Sequence, residues 1–551
     1  MTTPASLRPI APGVFTERPK IVRLLDGSLL AFTSAPRQVV VRNSIDHGET
    51  WSAETPLLSL DSWLPGIGGV TEALVDQAGE LHLFLLDQWR PDRRGEGERG
   101  GVGTYHGHRI DIWYVRSRRG RTEWSTPRCI WEGYTGALNS VIQTRSGRIL
   151  LPFSYYTPRT WADRGTGLDA FTFTGSFDCV VLGSDDGGET WALSNPLRIP
   201  TPDITYAYGG CEPVVLELAD GEIWMLIRGQ TGRFWESRLA SDGDGMTWSR
   251  PTPTRIISSD SPAGLVRLVD GRIVLLWNAC LRHPYAYGGR QVLHAAISAD
   301  EGATWRGMRE VARDPLRHRP PPVSGDHGTA YPFPVVTADG AVLVCTGQGE
   351  GRTILARLEP EYLLETVQRT DFDGGLEDWS VFGTRGVGLV PHPDRDAARV
   401  LRLQRVDAEF PAAAVWNLPL GHTGQVRLRL RFEPGARGVW LGLADHFSTP
   451  FDEEDLFHAV FAVCFLPAAD VADGVRIEPG LWHELVLAWR LAGSTCEVLL
   501  DGGIISHLPL LRRGEGICYL RLRTVATDPE EGGVLLESAE VNVSPSWGGT
   551  T

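Results

Sequence analysis

Two residues of complementary chemistry frame one short stretch of the chain, GGCEPVVLELADGEIWMLIRGQ. Glu212 lies just before the apolar run Val214 to Leu218, and Arg228 just after the run Ile223 to Ile227. Asp220-Gly221 joins the runs, and a dipeptide of that kind between β-branched and apolar segments predicts a hairpin. An antiparallel hairpin brings its two ends together, so this carboxylate and this guanidinium should be neighbours. Such a pair is either a structural ion pair or the start of a site that accepts a proton and grips a charged or hydroxylated group. Further polar candidates lie near strand ends and loops, where ligands are met: His106 and His108 in TYHGHRIDIWYV, Asp87, Arg145, Asp203, Tyr206, Tyr208, His283, Asp326 and His327. Any single one of these is more readily a surface or packing residue.

The element that must position them recurs. KIVRLLDGSLLAF, EALVDQAGELHLFLL, NSVIQTRSGRILLPF, PVVLELADGEIWMLI, AGLVRLVDGRIVLLW and PFPVVTADGAVLVCT share one form, a strand, a two-residue turn ending in glycine, and a strand. The glycines are 27, 79, 147, 221, 271 and 340, so the unit recurs six times at intervals of 50 to 74 residues. Between the hairpins lies a second repeat. SIDHGETW, SDDGGETW and SADEGATW fit S-x-D-x-G-x-T-W, SDGDGMTW displaces its Asp by one place, and SRRGRTEW is a decayed copy. In such a turn Asp accepts backbone N–H bonds, Gly takes a left-handed conformation and Trp anchors the unit, a structural rather than a catalytic role.

These turns resemble the Asp boxes (BNR repeats) of the sialidase, or neuraminidase, superfamily, and the resemblance covers roughly Arg18 to Glu365. It implies a six-bladed β-propeller with a ligand site where the innermost strands converge. It also implies roles. Tyr331, in HGTAYPFPVV, matches the family's catalytic tyrosine, and Glu212 the glutamate that polarises it. Arg228 and Arg290 match the second and third arginines of the triad that binds a substrate carboxylate. The first arginine lies two residues before a proline in the family; here Thr16-Glu17-Arg18-Pro19 puts Glu17 in its place and Arg18 one residue on. Arg18 is kept with Arg228, Arg290, His106 and His108 as a substrate-binding candidate, although one step along a strand reverses the face; Glu17, if turned inward, would be a general acid or a hydroxyl ligand, and otherwise an ion-pair partner of Arg228, Arg290 or Arg18. The family's acidic aspartate has no match, since TSAPRQVVVRNS contains no carboxylate. The implied activity is that of an exo-acting glycoside hydrolase on a terminal acidic or polyhydroxylated sugar. Two alternatives stay open: a uronate lyase, in which His106 or His108 would serve with Tyr331 and Arg228, and a non-catalytic glycan-binding propeller.

Composition sets the outer limits. At 551 residues, with 63 Gly, 19 Trp and 4 Met, the chain reads as all-β and as more than one domain. We expect a propeller over residues 1–367. Beyond it the rhythm stops, and alternating strands such as QVRLRLRF and HELVLAW predict a β-sandwich (jelly roll) over 368–551. That half resembles laminin-G or concanavalin-like domains, which bind carbohydrate or buttress a catalytic unit. A net charge of -15 disfavours nucleic-acid and anionic-membrane partners and leaves a carbohydrate as the expected one. Eight widely spaced Cys form no metal clip, so no metal and no cofactor is expected. The opening MTTPASLRPIAPGVF has neither a basic start nor a long apolar core, and a cytoplasmic location is expected.

Overall fold

The computed structural model describes residues 7–35, 37–60, 67–89, 109–118, 123–158, 175–200, 209–240, 246–281, 289–319, 328–348, 353–383, 385–450, 457–467 and 475–544. The fold is all-β. Six antiparallel sheets of four or five strands follow one another, the blades of a six-bladed propeller. The first strand, Leu7–Pro9, pairs with Ile354–Leu358 of the sixth sheet, so the two ends of the repeat region close the ring. Each predicted hairpin forms the first two strands of one blade, as with Cys211–Glu217 and Ile223–Arg228.

The turns differ from expectation in one respect. In each, the glycine N–H donates to the residue three before it, and that residue's N–H donates to the one after the glycine, as in Gly221 to Leu218 (3.0 Å) and Leu218 to Glu222 (2.8 Å). Only the glycines take positive φ, from 83° to 94°, whereas a two-residue type I′ loop would need it at both central positions. The loops are therefore type I turns closed by a glycine bulge. The added right-handed twist suits a blade.

The S-x-D-x-G-x-T-W turns are held as expected for three copies. Asp46 accepts from Ser44 Oγ (2.8 Å), Thr50 N (2.9 Å) and Thr50 Oγ1 (2.5 Å), and Ser184–Thr190 and Ser298–Thr304 repeat the pattern. Hydrogen bonds from Thr190 hold Asp186 down at about 2. Each tryptophan reaches the preceding blade: Trp191 stands edge-on to Phe84 at 5.8 Å, and Trp305 lies 6.3 Å from Trp224. Ser241–Gly245 of the fourth copy, and 119–122 of the decayed one, lie outside the described residues.

Two further sheets, of eight and six strands, run from Val367 to Val543 and share one apolar core, in which Trp379 and Trp416 stack at 5.5 Å. This sandwich packs on the fourth and fifth blades through Tyr519, Phe447 and Val415. A buried polar chain crosses the contact. Ala279 N–H donates to His294 Nδ1 (3.2 Å), so Nε2 carries the proton and donates to the Tyr519 hydroxyl (2.5 Å). Tyr519 donates in turn to Glu310 (2.7 Å), which also accepts from Arg313 (2.6 Å).

Tyr519→Phe would strand a buried N–H and a carboxylate lone pair, and is expected to lower unfolding stability by about 3 kcal/mol in urea titration. Burial pushes His294 down to about 4, below its unfolded value near 6.5. The unfolded chain then binds the extra proton between these values, so stability falls as pH drops from about 6.5 towards 4. No helix among the described residues is long and apolar enough to cross a membrane.

Candidate active site

Glu212 does not precede its strand but sits inside it. Cys211 pairs with Arg228 and Val214 with Leu226, so two residues, Glu212 and Pro213, face the single Ile227. That bulge turns Glu212 out of the alternation of its strand and gives it a φ of 49°. Tyr331, two residues before the strand Phe333–Val336 of the sixth blade, has a φ of 58°. Both are bulky L-residues in left-handed backbone, a conformation that costs about 1 kcal/mol or more each and gathers at functional sites.

Across the ring these two side chains meet. The Tyr331 hydroxyl donates to Glu212 Oε1 at 2.8 Å. Arg228 Nη1 pairs with the other oxygen of Glu212 and lies 3.3 Å from the Tyr331 hydroxyl. Arg228 Nε donates to Asp260 Oδ1 at 2.7 Å. Arg290 Nη2 donates to the Asp260 carbonyl at 2.7 Å, and Nη1 to Gln348 Oε1 at 2.8 Å, with its guanidinium carbon 5.7 Å from the Tyr331 ring centre. Burial, and then the Glu212 carboxylate, push the Tyr331 phenol well above its usual range. The phenol is therefore protonated at rest and already hydrogen-bonded to the base that could take its proton.

The fourfold set Glu212, Arg228, Arg290 and Tyr331 is thus brought together. Strand alternation does not decide the places of Glu17 and Arg18, and of these two candidates it is Arg18 that meets Tyr331. Glu17 is exposed, while the Arg18 guanidinium stacks between the rings of Tyr331 (5.1 Å) and Phe333 (4.9 Å). The reason is local. Strand pairing begins only at Lys20, and residues 16 to 19 form a bend and an irregular link, so the alternation of faces does not govern them. Arg18 donates to the carbonyls of Gly347 (3.2 Å) and Ala330 (3.4 Å), and burial lowers its affinity for its proton. Three guanidinium groups therefore surround Tyr331.

His106 and His108 lie outside the described residues, as do Asp203, Tyr206, Tyr208, His283, Asp326 and His327. Arg145 sits in the third hairpin turn, at the opposite end of the blade, against Glu217 (3.2 Å). Asp87 is buried in the second blade, in register with Asp111, which takes Arg109 (3.0 Å). Sequence reasoning missed Asp260, Gln230 and Gln348. Asp260 has a faint signal, since it lies shortly before the fifth hairpin much as Glu212 opens the fourth.

The BNR repeat-like domain family matches residues 37–344, from the first blade into the sixth. No curated protein matches the sequence. Among solved structures, a protein of unknown function from Dyadobacter fermentans is 18% identical, with 64% of this chain and 98% of that one covered and a TM-score of 0.47. A Trypanosoma rangeli sialidase in complex with sialic acid is 13% identical, with 96% and 90% covered and a TM-score of 0.41. The intramolecular trans-sialidase from Ruminococcus gnavus, in complex with oseltamivir carboxylate, is 14% identical, with 63% and 95% covered and a TM-score of 0.41.

Proposed function

The chain belongs to the BNR repeat-like domain family, and from that premise we propose that it is a sialidase-like exo-glycosidase acting on a terminal sugar that carries a carboxylate. The observation that carries this reading is the Tyr331 hydroxyl donating to Glu212 at 2.8 Å with Arg228 touching both. A phenol titrating near 10 is a poor nucleophile at neutral pH, and more so when burial raises it. With Glu212 in contact, the proton moves to the carboxylate as the phenolic oxygen approaches the anomeric carbon, so no free phenolate has to form in the buried site. A neutral nucleophile also avoids the repulsion that a carboxylate would meet from an anionic sugar, which is why sialidases stand apart from the two-carboxylate glycosidases.

Arg18, Arg228 and Arg290 supply the other half of the site. Guanidinium forks bind carboxylates through paired, charge-assisted hydrogen bonds. Arg18 is the telling member, because among the described residues its hydrogen bonds go to two carbonyls and its flanks to two rings. A substrate carboxylate would accept hydrogen bonds from it directly. With Arg18 beside Arg228 and Arg290, sialic acid is one of the acidic sugars to be tested.

The test is a screen of terminal sialosides, uronides and rhamnosides with product masses measured. Hydrolysis of an acidic glycoside, with one water added across the products, is the expected result. An unsaturated uronate would replace this reading by elimination, and binding without turnover would replace it by a glycan-binding role.

A further inference from the structure

We propose that Asp260 is a positioning residue that shares the charge of Arg228 and so leaves Glu212 available to take the proton of Tyr331. The inference rests on the site reading above but concerns a residue which that reading does not need. Asp260 lies between the strand Thr252–Ile257, last in the fourth blade, and Gly264–Arg267, first in the fifth. Its side chain is 1% exposed. Oδ1 accepts from Arg228 Nε at 2.7 Å, Oδ2 from Gln230 Nε2 at 3.3 Å, and the main-chain carbonyl from Arg290 Nη2 at 2.7 Å. One residue thus orients two of the three guanidinium groups, the first through its carboxylate and the second through its backbone.

The loop is fixed in place. Ser259 N–H donates to the Asn278 carbonyl (2.9 Å), and Ser261 Oγ to Asn278 Oδ1 (2.8 Å). Asn278 Nδ2 then reaches Thr329 Oγ1 (3.2 Å), two residues before Tyr331. Asp260 is therefore tied to the segment that carries the tyrosine as well as to the arginines.

The consequence is electrostatic. Glu212 touches Arg228 and Tyr331, with Arg18 and the Cys179 thiol within electrostatic reach. Arg228 bridges two buried carboxylates, so its charge is divided between Glu212 and Asp260. Were Asp260 neutral, Arg228 would be the ion-pair partner of Glu212 alone, with its whole charge on the carboxylate that must take the proton of Tyr331. A guanidinium committed to that carboxylate opposes the transfer.

The experiment records pH–rate profiles on a fluorogenic aryl α-sialoside for the wild type, Asp260→Asn and, as a control for destabilisation alone, Thr304→Ala in a peripheral turn. Asp260→Asn should lower kcat about tenfold or more, as expected when a general base is weakened, and move the acid limb of the profile to lower pH. Thr304→Ala should lower Tm without moving the limb. An Asp260→Asn profile superposable on the wild type overturns the proposal. If the wild type cleaves no sialoside, the function proposed above fails on that substrate, and Asp260 is judged by the crystal structure of Asp260→Ala. Displacement of Arg228 with Arg290 still on the backbone carbonyl supports the positioning role, and an unmoved Arg228 refutes it.

Discussion

Tyr331→Phe is expected to leave the protein folded and to lower kcat on an acidic glycoside by roughly a thousandfold or more, the scale of losing a nucleophile. The substitution removes one oxygen. That oxygen donates to Glu212 and lies beside Arg228, so its loss leaves the ring, its stacking on Arg18 and the left-handed backbone in place. Glu212→Gln should cost a similar factor for a different reason, since an amide can still accept from the hydroxyl but cannot take its proton. Because the two act in one proton transfer, the double variant should be little worse than either single one. Steady-state kinetics on the three variants, with unfolding curves to show that each is native, would measure this. Full activity in either single variant would refute the assignment of nucleophile and base.

How much of this was legible in the sequence depends on whether a residue's task is local. The six turn glycines could be found because a φ near 90° is closed to other residues, and the Asp of each S-x-D-x-G-x-T-W turn because it bonds within four residues. The exact loop type was not legible, since type I with a bulge and type I′ both end in glycine and differ in the conformation of the residue before it. Glu212 and Arg228 were found through hairpin geometry, but the bulge that aims Glu212 depends on the partner strand's register. Asp260 carries no periodic pattern, and its value comes from atoms on two other elements. The His294–Tyr519–Glu310 chain was hidden for the same reason, with partners 225 and 209 positions apart.

Arg18 stands one place off the family motif, and its substitution decides what the site recognises. Arg18→Ala is expected to lower kcat/KM on a sialoside or uronide roughly a hundredfold, the order of cost for removing one partner from a buried charged hydrogen bond. The loss should appear chiefly in KM, because Arg18 transfers no proton and makes no hydrogen bond to Glu212 or to the Tyr331 hydroxyl, whereas an intact guanidinium meets the substrate carboxylate in ground and transition state alike. Arg18→Lys should recover only part of it, since an ammonium keeps the charge but not the fork. Glu17→Ala, at the position that the motif alone assigns to the site, should stay within about twofold of wild type, as an exposed side chain. The reverse pattern, with Glu17→Ala inactive and Arg18→Ala unaffected, would restore the strand-alternation reading. It would also mean that the carboxylate grip consists of Arg228 and Arg290 alone. A neutral glycoside gives the internal control. If Arg18 serves the carboxylate, any activity on a sugar lacking that group should survive Arg18→Ala, and the ratio of acidic to neutral turnover should fall by the same factor as kcat/KM.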